Sequence, residues 1–306
     1  MKVLVATEKP FAKTAVDGIR KIVEKAGHTL ALLEKYTDVK DFYKAVSDAD
    51  ALIVRSDKVT KEVVDAAQKL KIVVRAGAGY DNLDLAACSA KKIVCMNTPG
   101  QNSNAVAELA IGMMIYMSRN TFKPGTGSEL KGKKLGIHAY GNVGCLAAHI
   151  AKGFGMEIYA YDPFISADKI KAEGVTPVDS VEKLYQTCHF ISLHIPANEQ
   201  TKKSIGYHLL SQMPKGACII NTARKEVIHE EELVKVMQER TDLKYCSDIA
   251  PDNAAEIAEK FQNRYFATPK KMGAETAEAN INAGLASANQ IVKFFTNGDA
   301  TFQINK

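Results

Sequence analysis

Short apolar runs alternate with amphipathic stretches along this chain, and that alternation limits its possible folds more than any other feature. In the first third, the apolar runs occupy residues 3–6, 51–54, 71–74 and 92–96. The stretches with helical spacing between them begin at Val16, Val59 and Leu83. Short apolar runs are typical of buried strands, and apolar residues three or four positions apart are typical of amphipathic helices. Strands that alternate with helices predict a parallel sheet covered by helices.

A long apolar helix is predicted from Asn102 to about Ser118, after which the Pro- and Gly-containing segment 121–131 interrupts the pattern. This interruption suggests a passage between two domains. The alternation then resumes, with apolar runs at 134–139, 157–162, 189–195, 216–222, 243–248 and 264–269. A last helix is predicted from Ala274 to about Phe295. The sequence therefore predicts an α/β protein with two doubly wound parallel-sheet domains.

Composition argues against several classes of protein. A chain of 306 residues with 46% hydrophobic residues is long enough for two packed cores. The formal net charge of +5 is spread without a block of like charges, which argues against nucleic acid as a partner. The longest apolar run, 109–117, is far shorter than the ~20 residues that cross a membrane. The six cysteines are scattered without a C-x-x-C pair, so we expect a cytoplasmic protein without a metal site.

The strand predicted near residue 134 is followed by A-Y-G-N-V-G, from Ala139 to Gly144, and then by a helical stretch. In a dinucleotide-binding unit, glycines at such a turn let the backbone approach a pyrophosphate at the helix N-terminus. The next strand ends at Asp162, and an acid there accepts hydrogen bonds from the adenosine ribose and repels a 2′-phosphate. The predicted cofactor is therefore NAD. The residues predicted to bind it in this unit are Tyr140, Gly141, Asn142, Val143, Gly144 and Asp162.

Ala139 departs from this pattern, because glycine is usual at the first position of the G-x-G-x-x-G motif. A small residue can be tolerated there, although it narrows the turn. The alternative interpretation is a strand-to-helix turn that contains glycines and binds nothing.

Six further segments stand in a specific order around this unit. They are VRS at 54–56, VRAGAGYDNLDL at 74–85, MNTPGQNSNAVAELAIGMM at 96–114, SLHIP at 192–196, INTAR at 220–224 and SDIA at 247–250. In these segments the chain resembles the D-isomer-specific 2-hydroxyacid dehydrogenases, most of all the short phosphoglycerate branch that lacks a regulatory C-terminal domain. The resemblance implies two Rossmann-like domains: a flavodoxin-like substrate domain of residues 1–98 and 286–306, and an NAD-binding domain of residues 99–285.

The resemblance also implies which residues bind the substrate. Arg224 matches the arginine that grips the substrate carboxylate and polarises its 2-oxo group, a task that suits the planar, permanently charged guanidinium. The loop whose backbone N–H groups hold the same carboxylate corresponds to Ala76, Gly77, Ala78 and Gly79. Without the motif, Arg224 would be interpreted as a surface arginine at a strand end.

Other basic and polar residues are weaker candidates for the substrate site. Arg55 and Ser56 resemble the pair that binds the phosphate in the phosphoglycerate enzymes, although an exposed Arg-Ser at a strand end is the alternative. Arg75 and Asn102 are further candidates for substrate binding.

Several strand ends match residues that contact the cofactor in this family. Asp248 matches the acid that accepts hydrogen bonds from the nicotinamide carboxamide. The other matching residues are His194, Ile195, Pro196, Thr201, Thr222 and Ala223. His194 could equally be a histidine packed at a strand end.

The proton donor of the family is missing from its usual position. The family's T-P-H-x-G-A segment is replaced by T-P-K-K-M-G-A, which puts Lys270 or Lys271 in place of the histidine. The glutamate that supports the histidine corresponds to Asn253. A carboxylate would raise the pKa of a lysine further above neutrality, whereas desolvation and the charge of Arg224 are expected to lower it. We therefore expect a lysine as acid and base; the alternative is a degenerate site with two solvated lysines.

The resemblance implies NAD-dependent oxidation of D-3-phosphoglycerate to 3-phosphohydroxypyruvate, and the reverse reaction, in serine biosynthesis. The expected partners are a small anionic 2-hydroxy or 2-oxo acid and a second copy of the chain in a homodimer, with neither nucleic acid nor membrane. A glyoxylate or hydroxypyruvate reductase is the first alternative. A protein of the same fold that senses NAD without catalysis is the second.

Overall fold

The computed structural model describes residues 1–305 and contains twelve strands and twelve α-helices in that range. The strands are β1 (Lys2–Thr7), β2 (Thr29–Glu34), β3 (Ala51–Val54), β4 (Ile72–Arg75), β5 (Val94–Asn97), β6 (Lys134–His138), β7 (Glu157–Tyr161), β8 (Thr176–Pro177), β9 (Phe190–Leu193), β10 (Cys218–Asn221), β11 (Lys244–Ser247) and β12 (Tyr265–Ala267). The helices are α1 (Lys13–Lys25), α2 (Val39–Val46), α3 (Lys61–Ala66), α4 (Leu85–Ala90), α5 (Ser103–Ser118), α6 (Asn142–Gly153), α7 (Ala167–Ala172), α8 (Val181–Thr187), α9 (Tyr207–Leu210), α10 (Glu230–Glu239), α11 (Ala254–Phe261) and α12 (Ala277–Asn297).

The chain divides into two compact units. Unit 1 comprises residues 1–102 and the segment that begins at Glu275, and unit 2 comprises Ser103–Ala274. Sequence analysis placed the domain boundaries at residues 98 and 285, near these two positions. The interrupted segment 121–131 lies inside unit 2 and is not a passage between units, because α5 already packs against α6 of unit 2.

Unit 1 is built on a five-stranded parallel sheet in the order β2-β1-β3-β4-β5. All four residues of β3 are buried, as expected for a strand covered by helices on both faces. Helix α1 buries Ala15, Ile19 and Val23 at four-residue intervals, so one stripe of the helix faces the core. The strand order confirms the predicted doubly wound, flavodoxin-like architecture.

Helix α12 completes the core of unit 1 by packing against α1. Small residues allow this contact: a Cβ on Gly284 would lie 3.1 Å from Ile19 Cδ1, and a Cβ on Gly18 would lie 2.5 Å from Leu285 Cδ2. The first and last helices of the chain therefore share one hydrophobic core, which also contains Val5 and Ile291.

Unit 2 contains a seven-stranded parallel sheet in the order β12-β11-β10-β9-β6-β7-β8. The chain starts near the middle of this sheet with β6, extends to β8 on one side, and then crosses to β9 and extends to β12 on the other. The strand order therefore reverses between β6 and β9, and ligands of open α/β sheets bind beside such a reversal at the carboxyl ends of the strands.

The apolar runs did not identify β2, α2 or the two-residue β8. Strand β2 lies at the edge of its sheet and pairs with β1 alone. None of its residues is buried, so its sequence lacks the fully apolar character of the central strands. Helix α2 begins after Asp38, whose side chain accepts a hydrogen bond from the backbone N–H of Lys40. Among the helices of residues 1–305, none has the length and apolar character that a membrane crossing requires.

Candidate active site

The predicted cofactor residues of unit 2 lie at the carboxyl ends of adjacent strands. The turn 139–144 follows β6, and segment 194–201 follows β9. Residues 222–224 follow β10, and Asp248 follows β11. Because neighbouring parallel strands end at the same edge of a sheet, these residues line one edge beside the β6/β9 reversal.

The turn after β6 has the tight geometry of a dinucleotide-binding loop. Ala139 has φ of +79°, a conformation that favours glycine, and its N–H donates to Tyr161 O at 2.9 Å. A Cβ on Gly144 would lie 2.3 Å from Ala139 O, so helix α6 can approach the turn only with glycine there. A Cβ on Gly141 would meet no atom within 4 Å, which leaves space above the helix N-terminus for a phosphate group.

Two substitutions in this turn should have different effects. Gly144→Ala should weaken NADH binding by at least about tenfold, because the added methyl group pushes Ala139 away from α6. Ala139→Gly should leave NADH binding unchanged and raise the free energy of unfolding by about 0.5–1 kcal/mol, because it relieves the positive φ. Fluorescence titration and chemical denaturation measure the two effects. Equal NADH affinity in Gly144→Ala would contradict the role of the turn.

Asp162 is held by three backbone donors. Its Oδ2 accepts from Tyr140 N at 2.7 Å, and its Oδ1 accepts from Phe164 N at 2.8 Å and Ile165 N at 3.2 Å. A carboxylate has about four acceptor positions, so one position remains for a ribose hydroxyl. Tyr140 is itself fixed, since its buried side chain donates from the hydroxyl to Glu173 Oε2 at 2.8 Å. The turn and the acid are therefore joined into one rigid piece.

Two histidines lie at the ends of the central strands β6 and β9. His138 is 9% exposed and contacts the Tyr185 hydroxyl through Nδ1 at 3.2 Å. Burial lowers the pKa of His138 to about 4, an effect that the charge of Asp162 partly opposes. His194 Nε2 lies 3.0 Å from Ser192 Oγ, and burial lowers its pKa to about 3. Both imidazoles are therefore neutral near pH 7, and His194 belongs both to the packed strand end and to the predicted cofactor edge.

His138 should make the protein less stable in acid. Its pKa is lower in the folded chain than in the unfolded chain, so the unfolded state takes up the proton first as pH falls below ~6.5. The free energy of unfolding should drop by up to about 3 kcal/mol from this residue by pH ~4. In His138→Gln, which retains an acceptor for Tyr185 but does not titrate, that part of the loss should disappear. The test is chemical denaturation of both proteins at pH ~6.5 and pH ~4. An equal loss of unfolding free energy in the wild type and in His138→Gln would contradict this expectation.

The remaining cofactor candidates fit a polar ligand. Thr222 is 6% exposed, and its buried Oγ1 has no hydrogen-bond partner among residues 1–305. A buried hydroxyl without a partner costs ~1–3 kcal/mol, so a bound ligand would stabilise it. Thr201 Oγ1 donates to Pro196 O at 2.5 Å and accepts from Asn198 N at 2.9 Å, which fixes the turn after β9. Together with the turn at Gly141, the unpartnered Thr222 hydroxyl indicates that this edge suits a dinucleotide.

Arg224 extends from the end of β10 and is half-buried. Asn221 fixes the local backbone, since its Nδ2 donates to Arg224 O at 2.9 Å and its Oδ1 accepts from Ala223 N at 3.0 Å. The guanidinium donates to Ala223 O at 2.9 Å and has no carboxylate within 4.0 Å in residues 1–305. Its charge is therefore available to an anionic ligand.

Asp248 bonds to a part of the chain that sequence reasoning did not connect with it. This carboxylate is 1% exposed and accepts from Thr268 Oγ1 at 3.0 Å, Met272 N at 2.8 Å and Gly273 N at 2.8 Å. We call residues 268–273 the arch. A Cβ on Gly273 would lie 2.9 Å from Asp248 Oδ2, so the glycine allows this close approach. The only sign of this contact in the sequence is the Gly273-Ala274 pair, which was interpreted as part of the family's segment and not as a contact with Asp248.

Lys270 and Lys271 lie at the crest of the arch, and both are exposed. Sequence analysis expected burial to lower the pKa of a catalytic lysine. This structure does not bury either lysine, because the path of the arch leaves both side chains in contact with solvent. Asn253, which stands in place of the glutamate, has a buried Oδ1 without a partner among residues 1–305. Its backbone N–H donates to Glu230 Oε2 at 3.2 Å.

In unit 1, the predicted carboxylate loop follows β4. The N–H of Ala76 donates to Val54 O at 2.8 Å and the N–H of Gly77 donates to Arg75 O at 2.9 Å. These two N–H groups are therefore occupied, whereas the N–H groups of Ala78 and Gly79 donate to no backbone acceptor within residues 1–305. Gly77 has φ of +150°, and a Cβ there would lie 1.5 Å from an Nη1 of Arg75, whose Nε donates to Arg55 O.

Arg55 is engaged in contacts within unit 1. Its Nη1 donates to Lys9 O at 3.1 Å and Pro10 O at 3.3 Å, and its Nη2 donates to Asn280 Oδ1 at 2.6 Å. Three of its five N–H groups are thus occupied, which leaves two for a phosphate. Ser56 is exposed and Asn102 is half-buried just before α5.

Comparison with known proteins identifies relatives of both units. Residues 109–269 match the family model of the D-isomer specific 2-hydroxyacid dehydrogenase NAD binding domain. D-3-phosphoglycerate dehydrogenase of Methanocaldococcus jannaschii is 35% identical and covers 89% of this chain, and hydroxypyruvate reductase of Thermotoga maritima is 35% identical and covers 86% of it and 90% of that protein. The NAD+-bound structure of 3-phosphoglycerate dehydrogenase from Entamoeba histolytica is 53% identical, with a TM-score of 0.88 and coverage of 100% and 99%.

The lengths of these relatives differ. The chain spans about half the length of the curated phosphoglycerate dehydrogenases, 54% of the Methanocaldococcus protein and 47% of an Arabidopsis thaliana one. In residues 1–305 no group of three or more His, Cys, Asp or Glu side chains is arranged to hold a metal ion.

Proposed function

This chain belongs to the D-isomer-specific 2-hydroxyacid dehydrogenases, and on that basis we propose that it interconverts D-3-phosphoglycerate and 3-phosphohydroxypyruvate with NAD. The observation that carries the proposal is the Arg224 guanidinium, which lies at the cofactor edge and has no carboxylate partner among residues 1–305. Similarity along the full chain to the Entamoeba phosphoglycerate dehydrogenase supports this substrate over other 2-hydroxy acids. The reaction would belong to serine biosynthesis, in a cytoplasmic homodimer.

Residues of unit 2 would hold the cofactor. The turn from Tyr140 to Gly144 would receive the pyrophosphate, Asp162 the ribose, and Asp248 the carboxamide. The bound nicotinamide supplies or accepts the hydride.

The protein's own residues bind the acid and move the proton. Arg224 binds the substrate carboxylate through two parallel hydrogen bonds and draws electron density from the 2-oxo group. In reduction, a lysine of the arch donates a proton from Nζ to the carbonyl oxygen, and in oxidation it takes the proton back.

The activity can be tested by following NADH oxidation with four 2-oxo acids: 3-phosphohydroxypyruvate, hydroxypyruvate, glyoxylate and pyruvate. The highest kcat/KM is expected with 3-phosphohydroxypyruvate. If hydroxypyruvate or glyoxylate is preferred, the protein is a reductase of the same family. If NADH binds and none of the acids is reduced, the protein senses NAD without catalysis.

A specific observation favours the hydroxypyruvate reductase alternative: three N–H groups of Arg55 already bond to Lys9, Pro10 and Asn280.

If Arg55 binds the phosphate of the substrate, Arg55→Ala should raise the KM for 3-phosphohydroxypyruvate by about 10- to 100-fold, since one charged hydrogen bond contributes ~1.5–3 kcal/mol. The KM for hydroxypyruvate should change by less than about threefold. Asn280→Ala, which removes one structural contact but keeps the charge, is the matched control. Equal losses with both acids would place Arg55 outside the phosphate site.

A further inference from the structure

The two ends of the arch bond to one carboxylate. Thr268 begins the arch and Gly273 ends it, and both donate to Asp248, as does the N–H of Met272. The chain thus leaves this carboxylate and returns to it within six residues. The lysines at positions 270 and 271 lie between the fixed ends, so the position of Asp248 determines where the arch starts and stops.

The environment of Asp248 makes these bonds strong. The carboxylate is 1% exposed, and the hydroxyl of Thr268 and the N–H groups of Met272 and Gly273 stabilise its charge. Hydrogen bonds to a buried charge contribute more than those between neutral groups. Asp248 is in turn fixed to the sheet, because its N–H donates to Asn221 O at 2.9 Å.

These three donors use three of the about four acceptor positions of a carboxylate. Oδ1 accepts from Thr268 and Met272, and Oδ2 accepts from Gly273. An amide N–H, such as that of a carboxamide group, is the kind of donor that fits the remaining place on Oδ2. The arch and such a ligand would then share one anchor.

We propose that Asp248 is the positioning residue of the arch, and that through it the binding of the nicotinamide carboxamide and the ordering of Lys270 and Lys271 are coupled. This inference rests on the proposed function only for the nicotinamide contact and the proton transfer by a lysine. Coupling of this kind is reciprocal: whatever orders the arch tightens cofactor binding, and cofactor binding orders the arch.

Trypsin provides a measure of arch order that does not depend on catalysis. We expect cleavage after Lys270 and Lys271, followed by mass spectrometry, to slow at least about threefold when NADH is bound. Cleavage after the exposed Lys131, in another part of unit 2, serves as the internal reference. In Asp248→Asn, cleavage in the arch should accelerate about tenfold and protection by NADH should disappear, because an amide cannot accept all three bonds.

Thr268 provides the matched pair of variants. Thr268→Val removes one donor and leaves the carboxylate intact; it should accelerate arch cleavage several-fold and weaken NADH binding by about two- to fivefold. Thr268→Ser, which keeps the hydroxyl, should restore both. In turnover, Thr268→Val should lower kcat by about tenfold and leave the KM of the 2-oxo acid within about threefold.

Two results would overturn the inference. If Asp248→Asn weakens NADH binding but leaves arch cleavage unchanged, the residue serves the cofactor alone. If Thr268→Val loosens the arch without changing NADH affinity, the two are not coupled. Should the wild-type protein reduce none of the four acids, the proposed function fails, while cleavage and NADH titration still decide the role of Asp248.

Discussion

Arg224→Ala should lower kcat/KM for reduction of the preferred 2-oxo acid by ~10³- to 10⁵-fold, the largest loss expected from any single change in this chain. The guanidinium has two tasks: it binds the carboxylate, which contributes ~1.5–3 kcal/mol, and it stabilises the developing negative charge on the carbonyl oxygen, which contributes ~2.7–4 kcal/mol. The wild-type side chain can perform both, because no carboxylate of residues 1–305 neutralises it.

Arg224→Lys is the matched control, since it keeps the charge but loses the two parallel donors. Its kcat/KM should be about tenfold higher than that of Arg224→Ala, mostly because its KM is lower. NADH affinity should stay within about threefold in both variants. Turnover by Arg224→Ala near the wild-type level would show that the substrate carboxylate binds elsewhere, and the proposed orientation of the substrate would be wrong.

Lys271→Ala is expected to lower kcat for keto-acid reduction by ~10²- to 10⁴-fold and to leave NADH affinity nearly unchanged. The expectation follows from the T-P-K-K-M-G-A segment, in which the spacing to Gly273 and Ala274 puts Lys271 at the histidine's position. Reduction should continue to higher pH than in a histidine enzyme, and it should fall once the amine loses its proton.

Lys270→Ala is the control for this experiment, because this neighbouring lysine is also exposed and lies on the same arch. A mild effect there and a large one in Lys271→Ala assign the proton to Lys271. The reverse pattern transfers the role to Lys270. Near wild-type turnover in both variants would contradict catalysis by a lysine and indicate that water donates the proton.

The fold was predictable from the sequence wherever burial dominates. The residues of β3 and β10 are fully buried; the apolar run 51–54 coincides with β3, and the run 216–222 contains β10. Edge elements gave a weaker signal, because β2 exposes part of both faces and therefore alternates less clearly. The doubly wound architecture could still be predicted, because it follows from the alternation of strands and helices, and the central strands were recognisable.

The site was predictable in its residue types but not in its geometry. The motif identified Asp248 and the two lysines, yet spacing in the sequence cannot reveal that one carboxylate bonds to both ends of a segment 20 residues away. The desolvation expected for the lysines also failed, since exposure depends on the path of the arch. Ala139 is a different case: its departure from glycine was visible, and its φ of +79° gives that departure a physical cost.

The packing of α1 against α12 has a consequence for synthesis on the ribosome. Unit 2 is continuous from Ser103 to Ala274, so all its strands are available before α12 is translated. The core around α1, by contrast, is completed later, because α12 packs against α1 and is translated after all of unit 2. Contacts so distant along the chain form late and leave apolar surface exposed to other chains. Chaperones are therefore expected to bind the nascent chain at α1 until α12 has been translated.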